Sequence, residues 1–210
     1  MQYQAIILAA GNSSRSKLAY NKVLHKIDDK EIIYHAAINF INDNRCDSVF
    51  LVCKKQDVAI FKTIFSQQEK IVYVIGGDTR QQSVANALKF ITSQYVLIHD
   101  GARPHVSKEL IDKIVNSLQH HKAIVPALCI TDTVKKIKGN KIVKTLNREE
   151  LVVVQTPQGF DSNLLKTAHI NADNSNYSDD AVLIELFTDE DVYIVDGEKS
   201  NKKWTTKEDF

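Results

Sequence analysis

Short runs of hydrophobic residues recur along the chain, and stretches with a helical spacing of hydrophobic and polar positions separate them. Most of the short runs are hydrophobic throughout rather than at every second position, which is typical of parallel strands covered on both faces. The pattern predicts strands at residues 4–9, 48–54, 71–75, 95–99, 123–128, 151–155 and 192–195.

Four of the intervening stretches predict amphipathic helices, because their hydrophobic residues recur three and four positions apart. These helices are predicted at residues 31–44, 83–91, 107–121 and 178–186, and the last three begin at a serine suited to capping a helix. Strands that alternate with helices favour an α/β fold, here a three-layer doubly wound structure around a mostly parallel sheet.

Residues 131–148 interrupt this alternation with two β-branched runs joined at Gly139-Asn140. Such a junction favours a β-hairpin, and this stretch is too polar to enter a core. We therefore predict one domain over residues 1–210 from which residues 131–148, called the arm below, protrude. The arm either covers the site of a neighbouring subunit in a dimer or is a solvated surface hairpin.

Composition and charge limit the binding partners that we expect for the protein and the cellular compartment in which we expect it. The 27 basic and 26 acidic residues leave a net charge of +1, which predicts binding to neither nucleic acid nor an anionic membrane. No hydrophobic run approaches the about 20 residues of a membrane span, and the first residues do not resemble a signal peptide. The three cysteines form no CxxC pair, so we expect free thiols, with Cys53 and Cys129 buried, in a cytoplasmic protein.

Ligands of open α/β sheets bind where parallel strands end, so the loops after the predicted strands are the candidate sites. The first loop contains Ala9-Ala10-Gly11 and is followed by Arg15 and Lys22. Small residues allow a ligand to approach the backbone closely, and two cations beside exposed N–H groups suit a polyphosphate. The loop is neither a P-loop nor a GxGxxG motif, so by itself it is also compatible with an ordinary turn.

Two further loops offer polar groups at the same end of the predicted sheet. After the third strand, Asp78, Arg80 and Ser83 could read the edge of a base, or the loop could serve only to begin a helix. After the fourth strand, Asp100 is placed to bind a divalent cation or a sugar hydroxyl, or to pair with Arg103 and fix the turn. No GxSxG, HExxH or Cys–His arrangement is present, which argues against a hydrolase.

Seven motifs in this order resemble those of the 2-C-methyl-D-erythritol 4-phosphate cytidylyltransferases, from Ala9 to Asp209. These motifs are LAAGNSSR…NK, GGDTRQQSV, HDGARP, TDTVKK, NR…TPQGF, SDDA and N-KK-WTT-ED. The resemblance implies a nucleotidyltransferase with a glycosyltransferase-A-like fold. It also implies that CTP and methylerythritol phosphate are joined, with release of pyrophosphate, in non-mevalonate isoprenoid synthesis.

The resemblance also implies a role for each matching residue, a divalent cation such as Mg²⁺ near Asp100, and a homodimer formed through the arm. Arg15 and Lys22 would be catalytic cations. The nucleotide would contact Ala9, Ala10, Gly11, Gly77, Asp78, Arg80, Ser83, Asp100 and Gly101. The second substrate would be positioned by Arg103, Thr133, Arg148, Thr156 and Lys203, with Thr133 supplied to the neighbouring subunit.

The chemistry of the implied reaction agrees with this set of residues. One phosphate attacks another, so the enzyme must align two anions and neutralise charge, and it needs no activated side-chain nucleophile. The chain departs from the family at Asn12-Ser13, where a second glycine is usual, at Ser16, where methionine is usual, and at Asn21, where proline is usual. A pentitol-phosphate cytidylyltransferase, acting on ribitol 5-phosphate, and a non-catalytic nucleotide-binding domain remain as alternatives.

Overall fold

The computed structural model describes residues 1–11, 20–173 and 177–209. Its main sheet has eight strands in the order β10-β7-β11-β6-β1-β4-β5, with β12 also paired to β7. The remaining strands form two short hairpins, β2-β3 and β8-β9. The strands are β1 (Tyr3–Leu8), β2 (Lys26–Ile27), β3 (Lys30–Glu31), β4 (Cys46–Cys53), β5 (Ile71–Ile75), β6 (Tyr95–Asp100), β7 (Ala123–Cys129), β8 (Lys135–Lys138), β9 (Lys141–Thr145), β10 (Val152–Val154), β11 (Gln158–Asp161) and β12 (Tyr193–Asp196).

The main sheet is mixed but mostly parallel. Strand β1 runs parallel to β4 and β6, β4 runs parallel to β5, and β12 runs parallel to β7. Strand β11 is antiparallel to both β6 and β7, and β10 is antiparallel to β7. Strands β1, β4, β5 and β6 therefore all end at one edge, which is where ligands bind in such folds.

Helices cover both faces of the sheet. Along β1 the side chains of Tyr3, Ala5 and Ile7 enter one core and that of Ile6 enters the other, as the two-residue period of a strand requires. The first core packs against α1 (Ile32–Ile41), α2 (Val58–Ile64) and α4 (Lys108–Ser117), and the second against α3 (Arg80–Leu88), α5 (Ser162–Asn171) and α6 (Ala181–Phe187). The predicted three-layer α/β architecture is thus confirmed.

Five of these helices and strands were not predicted from the sequence: α2, α5, β11 and the short pair β2 and β3. Strand β11 lies in the middle of the sheet although it is only four residues long. Helix α3 begins at Arg80, capped by Thr79, and not at Ser83; helix α6 begins at Ala181 and not at Ser178. In contrast, Ser107 caps α4 as predicted, since its hydroxyl accepts a hydrogen bond from the Leu110 amide at 2.9 Å.

The arm is a two-stranded hairpin, β8 and β9, as predicted. Gly139 occupies the left-handed region with a φ of 57°, a conformation that glycine adopts without steric cost. Both strands are exposed along their whole length, and Ile137 and Ile142 expose 65 % and 67 % of their surface. The arm therefore contributes nothing to the core of its own chain and presents hydrophobic surface outward.

The cysteines are free, but one prediction about them was wrong. Cys46 and Cys53 are buried, whereas Cys129 is exposed at the end of strand β7. Hydrophobic neighbours in sequence do not bury a residue where the strand leaves the core. Every helix within the three described ranges is too short or too polar to cross a membrane.

Candidate active site

A cleft of about 280 Å³ opens at the edge where β1 and β6 end. It brings together ten of the residues singled out in the sequence, from separate segments of the chain. They are Ala9, Ala10, Gly11, Lys22, Gly77, Asp78, Arg80, Ser83, Asp100 and Lys203. The predicted convergence of loops is therefore present, and Asn21, Val23, Thr79 and Ala102 complete much of the lining.

Asp100 is the charged centre of the cleft. It is the last residue of β6 and is buried, with only 8 % of its surface exposed. The Lys203 ammonium lies 2.6 Å from Oδ2, Arg80 Nε lies 3.6 Å from Oδ1, and Arg103 Nε lies 4.0 Å from Oδ2. Three cations from different segments thus face one carboxylate.

These cations decide the ionisation of Asp100. Burial on its own would raise the pKa of the carboxyl, because it disfavours the charged form. The charges of Lys203, Arg80 and Arg103 and the hydrogen bond from Lys203 outweigh this effect and hold the pKa well below its usual range. Asp100 therefore carries a full negative charge at neutral pH and cannot act as a proton donor.

Arg80 is held at the cleft by a buried carboxylate, that of Asp180, which was not predicted from the sequence. Its Nη1 lies 2.8 Å from Oδ2 of Asp180, and His169 Nε2 lies 3.3 Å from Oδ1 of the same carboxylate. Asp180 is almost fully buried, and Arg80 Nη2 has no hydrogen-bond partner among the described residues. The SDDA motif contained Asp180, but no pattern in the sequence linked it to an arginine a hundred residues earlier.

Thr156 and His99 fix the end of β6 behind the cleft. The Thr156 hydroxyl accepts a hydrogen bond from the Asp100 amide at 3.0 Å and lies 3.1 Å from His99 Nδ1. His99 Nε2 lies 3.1 Å from the Arg103 carbonyl, and burial lowers the pKa of the imidazole to about 4. His99 is therefore neutral, and Thr156 uses its hydroxyl within the chain, so its predicted contact with substrate stays a prediction.

Hydrogen bonds of two side-chain amides hold the segment that bears Lys203 close to Asp100. Asn201, fully buried, donates from Nδ2 to the Thr156 carbonyl at 2.7 Å, and its own carbonyl accepts a hydrogen bond from Arg103 Nη1 at 2.8 Å. Gln155 Nε2 donates to the Glu198 carbonyl at 2.8 Å. The segment that bears Lys203 is thereby tied to the short connection between β10 and β11, which explains how a residue so late in the chain reaches the cleft.

The loop before α3 is held by its own side chains. The Gly77 amide donates to Ser83 Oγ at 3.0 Å, and the Asp78 amide donates to Gln82 Oε1 at 2.9 Å. The Thr79 hydroxyl caps the helix by accepting from the Gln82 amide. The Asp78 side chain is left to line the cleft, as a group that reads a base requires, although that role is still a prediction.

Several predicted site residues do not line the cleft. Arg15 lies outside the described residues. Gly101 is explained by packing, because a Cβ there would lie 2.8 Å from the Leu8 carbonyl oxygen. Thr133 and Arg148 are exposed at the base of the arm, where Arg148 Nη1 donates to the Thr131 carbonyl. A contribution of these two residues to the cleft of their own chain is not observed.

The carboxylates available to a divalent cation are few. The described residues hold no cluster of three or more His, Cys, Asp or Glu side chains suited to a metal, and Asp78 and Asp100 are the carboxylates in the cleft lining. Mg²⁺ is commonly held by one or two carboxylates together with substrate phosphates. The residues present therefore fit a metal that arrives with a nucleotide, and they do not fit a metal caged by protein alone.

Comparison with known proteins gives a consistent result. A family model described as 2-C-methyl-D-erythritol 4-phosphate cytidylyltransferase matches residues 3–210. A protein of that name from Bacillus velezensis is 38 % identical over all of this chain and 93 % of its own length, and one from Halalkalibacterium halodurans is 37 % identical over all of this chain and 94 % of its own. The crystal structure of a 4-diphosphocytidyl-2C-methyl-D-erythritol synthase from Anaerococcus prevotii superposes with a TM-score of 0.88 at 35 % identity, covering 99 % of this chain and 92 % of that one.

Proposed function

The chain belongs to the 2-C-methyl-D-erythritol 4-phosphate cytidylyltransferase family, and we propose that its cleft joins CTP to 2-C-methyl-D-erythritol 4-phosphate. The products are 4-diphosphocytidyl-2-C-methyl-D-erythritol and pyrophosphate. The enzyme would supply a precursor of isoprenoids by the non-mevalonate route. Its near-neutral net charge suits two small anionic substrates gathered by a local group of cations.

The observation that carries this proposal is that several cations line the cleft in which the Asp100 carboxylate lies. Lys22, Arg80 and Lys203 line one small cleft together with Ala10 and Gly11, and Arg80 Nη2 is a buried donor without a partner among the described residues. Buried donors of this kind are costly unless a ligand accepts from them. A nucleoside triphosphate and a phosphate monoester are the anions that such a set of donors fits.

The reaction needs alignment and charge neutralisation from these residues. A phosphate oxygen of methylerythritol phosphate attacks the α-phosphorus of CTP, an O–P bond forms, and the bond from the α-phosphorus to the bridging oxygen breaks. The electron pair leaves with pyrophosphate. Lys22 and Arg15 would stabilise the negative charge on the oxygens of the α-phosphoryl group and on the leaving pyrophosphate, and no side chain need give or take a proton.

The remaining roles follow from position. Ala9, Ala10 and Gly11 would cradle the triphosphate, Gly77, Asp78 and Ser83 would contact cytosine, and Asp100 would bind the ribose. Arg80, held by Asp180, would keep the Asp100 carboxylate oriented. Arg103, Thr156 and Lys203 would position the second substrate, directly or by holding the segment around Asp100.

Mg²⁺ is proposed as the cofactor. Asp100 would hold it together with the phosphates of CTP, since that carboxylate lies in the cleft and is ionised. When bound, the metal supplies positive charge that neutralises the phosphate oxygens. Lys203 already contacts Oδ2 of Asp100, so this lysine must share the carboxylate with the metal or move toward the phosphates.

A homodimer through the arm is also proposed. The outward-facing residues Ile137, Ile142 and Val143 each expose more than half of their surface, which suits contact with a second chain. Thr133 and Arg148 lie at the base of the arm and outside the cleft lining of their own chain. The partner's cleft is where we expect them to act.

The three free cysteines favour a cytoplasmic location.

The identity of the second substrate is tested by a panel of acceptors. Purified protein with CTP and Mg²⁺ is expected to release pyrophosphate with methylerythritol phosphate and only at background with ribitol 5-phosphate or with no acceptor. Coupled detection of pyrophosphate and mass spectrometry of the product measure this. Release with ribitol 5-phosphate alone would establish the pentitol-phosphate alternative, and CTP binding without any release would establish a non-catalytic domain.

A further inference from the structure

Asn21 occupies a junction between the cleft and the interior of the fold. It directly precedes the 3-10 turn Lys22–Leu24, and its backbone is extended, with φ −64° and ψ 117°. Its side-chain carbonyl oxygen lies 3.4 Å from the Val23 amide, which it caps. Val23 is buried in the core, so the backbone of Lys22 is held between an anchored residue on each side.

The side-chain amide of Asn21 donates both of its hydrogens to groups at the ends of two neighbouring strands. Nδ2 lies 2.7 Å from the Ala9 carbonyl oxygen, just past β1, and 2.9 Å from Oδ2 of Asp57, just past β4. Asp57 is only 6 % exposed and ends a 3-10 turn, Lys55–Asp57, that begins directly after Lys54. Ala9 is itself bonded to β4, its amide donating to the Val52 carbonyl at 2.7 Å.

Both contacts act on groups that line the cleft. The peptide between Ala9 and Ala10 is planar, so fixing the direction of the Ala9 carbonyl also fixes that of the Ala10 N–H, which points the opposite way. Lys22 directly follows Asn21 in the chain, so the hydrogen bonds of the Asn21 side-chain amide also fix the position of the Lys22 backbone. Ala10 and Lys22 both line the cleft.

We propose that Asn21, held by its hydrogen bond to Asp57, is a positioning residue. It fixes the Lys22 turn and the Ala9–Ala10 peptide in the places that nucleotide transfer needs. Both of its partners are acceptors, so in this chain, where asparagine stands in place of the family's usual proline, the two N–H groups of the side-chain amide satisfy both of them. This inference rests on the proposed function, since it assigns a purpose to Asn21 in that reaction.

The chemistry singles out Asn21→Asp as the informative substitution. Aspartate has the same shape and caps a helical turn as well as asparagine does. It offers two acceptors where Ala9 and Asp57 need donors, and it places a second carboxylate against Asp57. A residue that merely caps the turn would tolerate this change, whereas the positioning residue would not.

The experiment measures kcat, both KM values and the thermal midpoint for Asn21→Asp, Asn21→Ala and the exchange variant Asn21→Asp/Asp57→Asn. We expect Asn21→Asp to lower kcat by about tenfold or more, with KM for methylerythritol phosphate within about twofold, because misplacing a charged group by about an ångström is costly. Asn21→Ala should lose less. The exchange variant should recover part of the loss, since an amide at residue 57 donates back to residue 21.

The matched control is Asn39→Asp. Asn39 is also half-buried, and its Nδ2 also donates to a backbone carbonyl at 2.7 Å, that of Val106, but it lies outside the cleft lining. It should lower the thermal midpoint and leave kcat unchanged.

Wild-type kcat for Asn21→Asp, or an exchange variant no more active than Asn21→Asp, would overturn the inference. If Asn21→Asp does not fold, a wild-type kcat for Asn21→Ala would do the same. Failure of the proposed function is distinct, because the unsubstituted protein would then show no transfer at all.

Discussion

Replacing Lys22 with alanine is expected to lower kcat by about two to three orders of magnitude while leaving the fold intact. Lys22 lines the same cleft as Ala10 and Gly11 and lies in a turn whose anchors are its neighbours Asn21 and Val23. Truncating the side chain removes a cation from the place where charge develops on the transferring phosphate. The anchors of the turn remain, so the thermal midpoint should change little.

Steady-state pyrophosphate release and thermal unfolding measure this prediction. Lys22→Arg should retain more activity than Lys22→Ala, because it keeps the charge but changes the geometry of the donor. Lys62→Ala is the matched control, since Lys62 is an exposed lysine on α2 outside the cleft lining. A kcat for Lys22→Ala within a fewfold of wild type would remove Lys22 from the reaction.

Mixing two inactive variants is expected to restore about a quarter of the wild-type activity if the arm acts on the partner's cleft. One variant is Lys22→Ala, whose cleft is damaged, and the other is Arg148→Ala, whose arm is damaged. Half of the randomly formed dimers contain one chain of each kind. In each of these, the cleft with intact Lys22 receives the arm with intact Arg148, and the other cleft is doubly impaired.

This experiment requires that chains exchange, which native mass spectrometry of differently sized tags reports. The exposed positions of Thr133 and Arg148, away from the cleft of their own chain, are the reason for expecting recovery. Confirmed exchange with activity no higher than that of the separate variants would place Arg148 in the cleft of its own subunit. A strictly monomeric protein would exclude the proposed dimer.

Much of the fold was predictable because its strands are continuous hydrophobic runs. Strand β5 was predicted with its observed bounds, and the hairpin was predicted from Gly139-Asn140. Strand β11 was not, because a four-residue strand with glycine and glutamine has no period of its own. It is specified by its neighbours: a Cβ on Gly159 would lie 2.6 Å from Ile114 Cγ2, and Phe160 is fully buried.

The cleft was predictable to the extent that its residues follow strands, since parallel strands bring their carboxyl ends to one edge. The buried polar residues that hold the cleft side chains in place were not predictable in the same way. Asp180 reaches Arg80, Asn201 reaches Thr156, and Asp57 reaches Asn21 across long separations in sequence, through buried contacts. Each support is a single polar residue that carries no local pattern, so only the assembled structure reveals its partner.

A crystal structure with CTP and Mg²⁺ tests most directly whether the cleft around Asp100 holds the nucleotide during transfer. We expect the triphosphate against Ala9–Gly11 and Lys22, with cytosine beside Gly77–Asp78 and the ribose at Asp100. CTP bound elsewhere on the protein, with this cleft empty at a saturating nucleotide concentration, would contradict this placement.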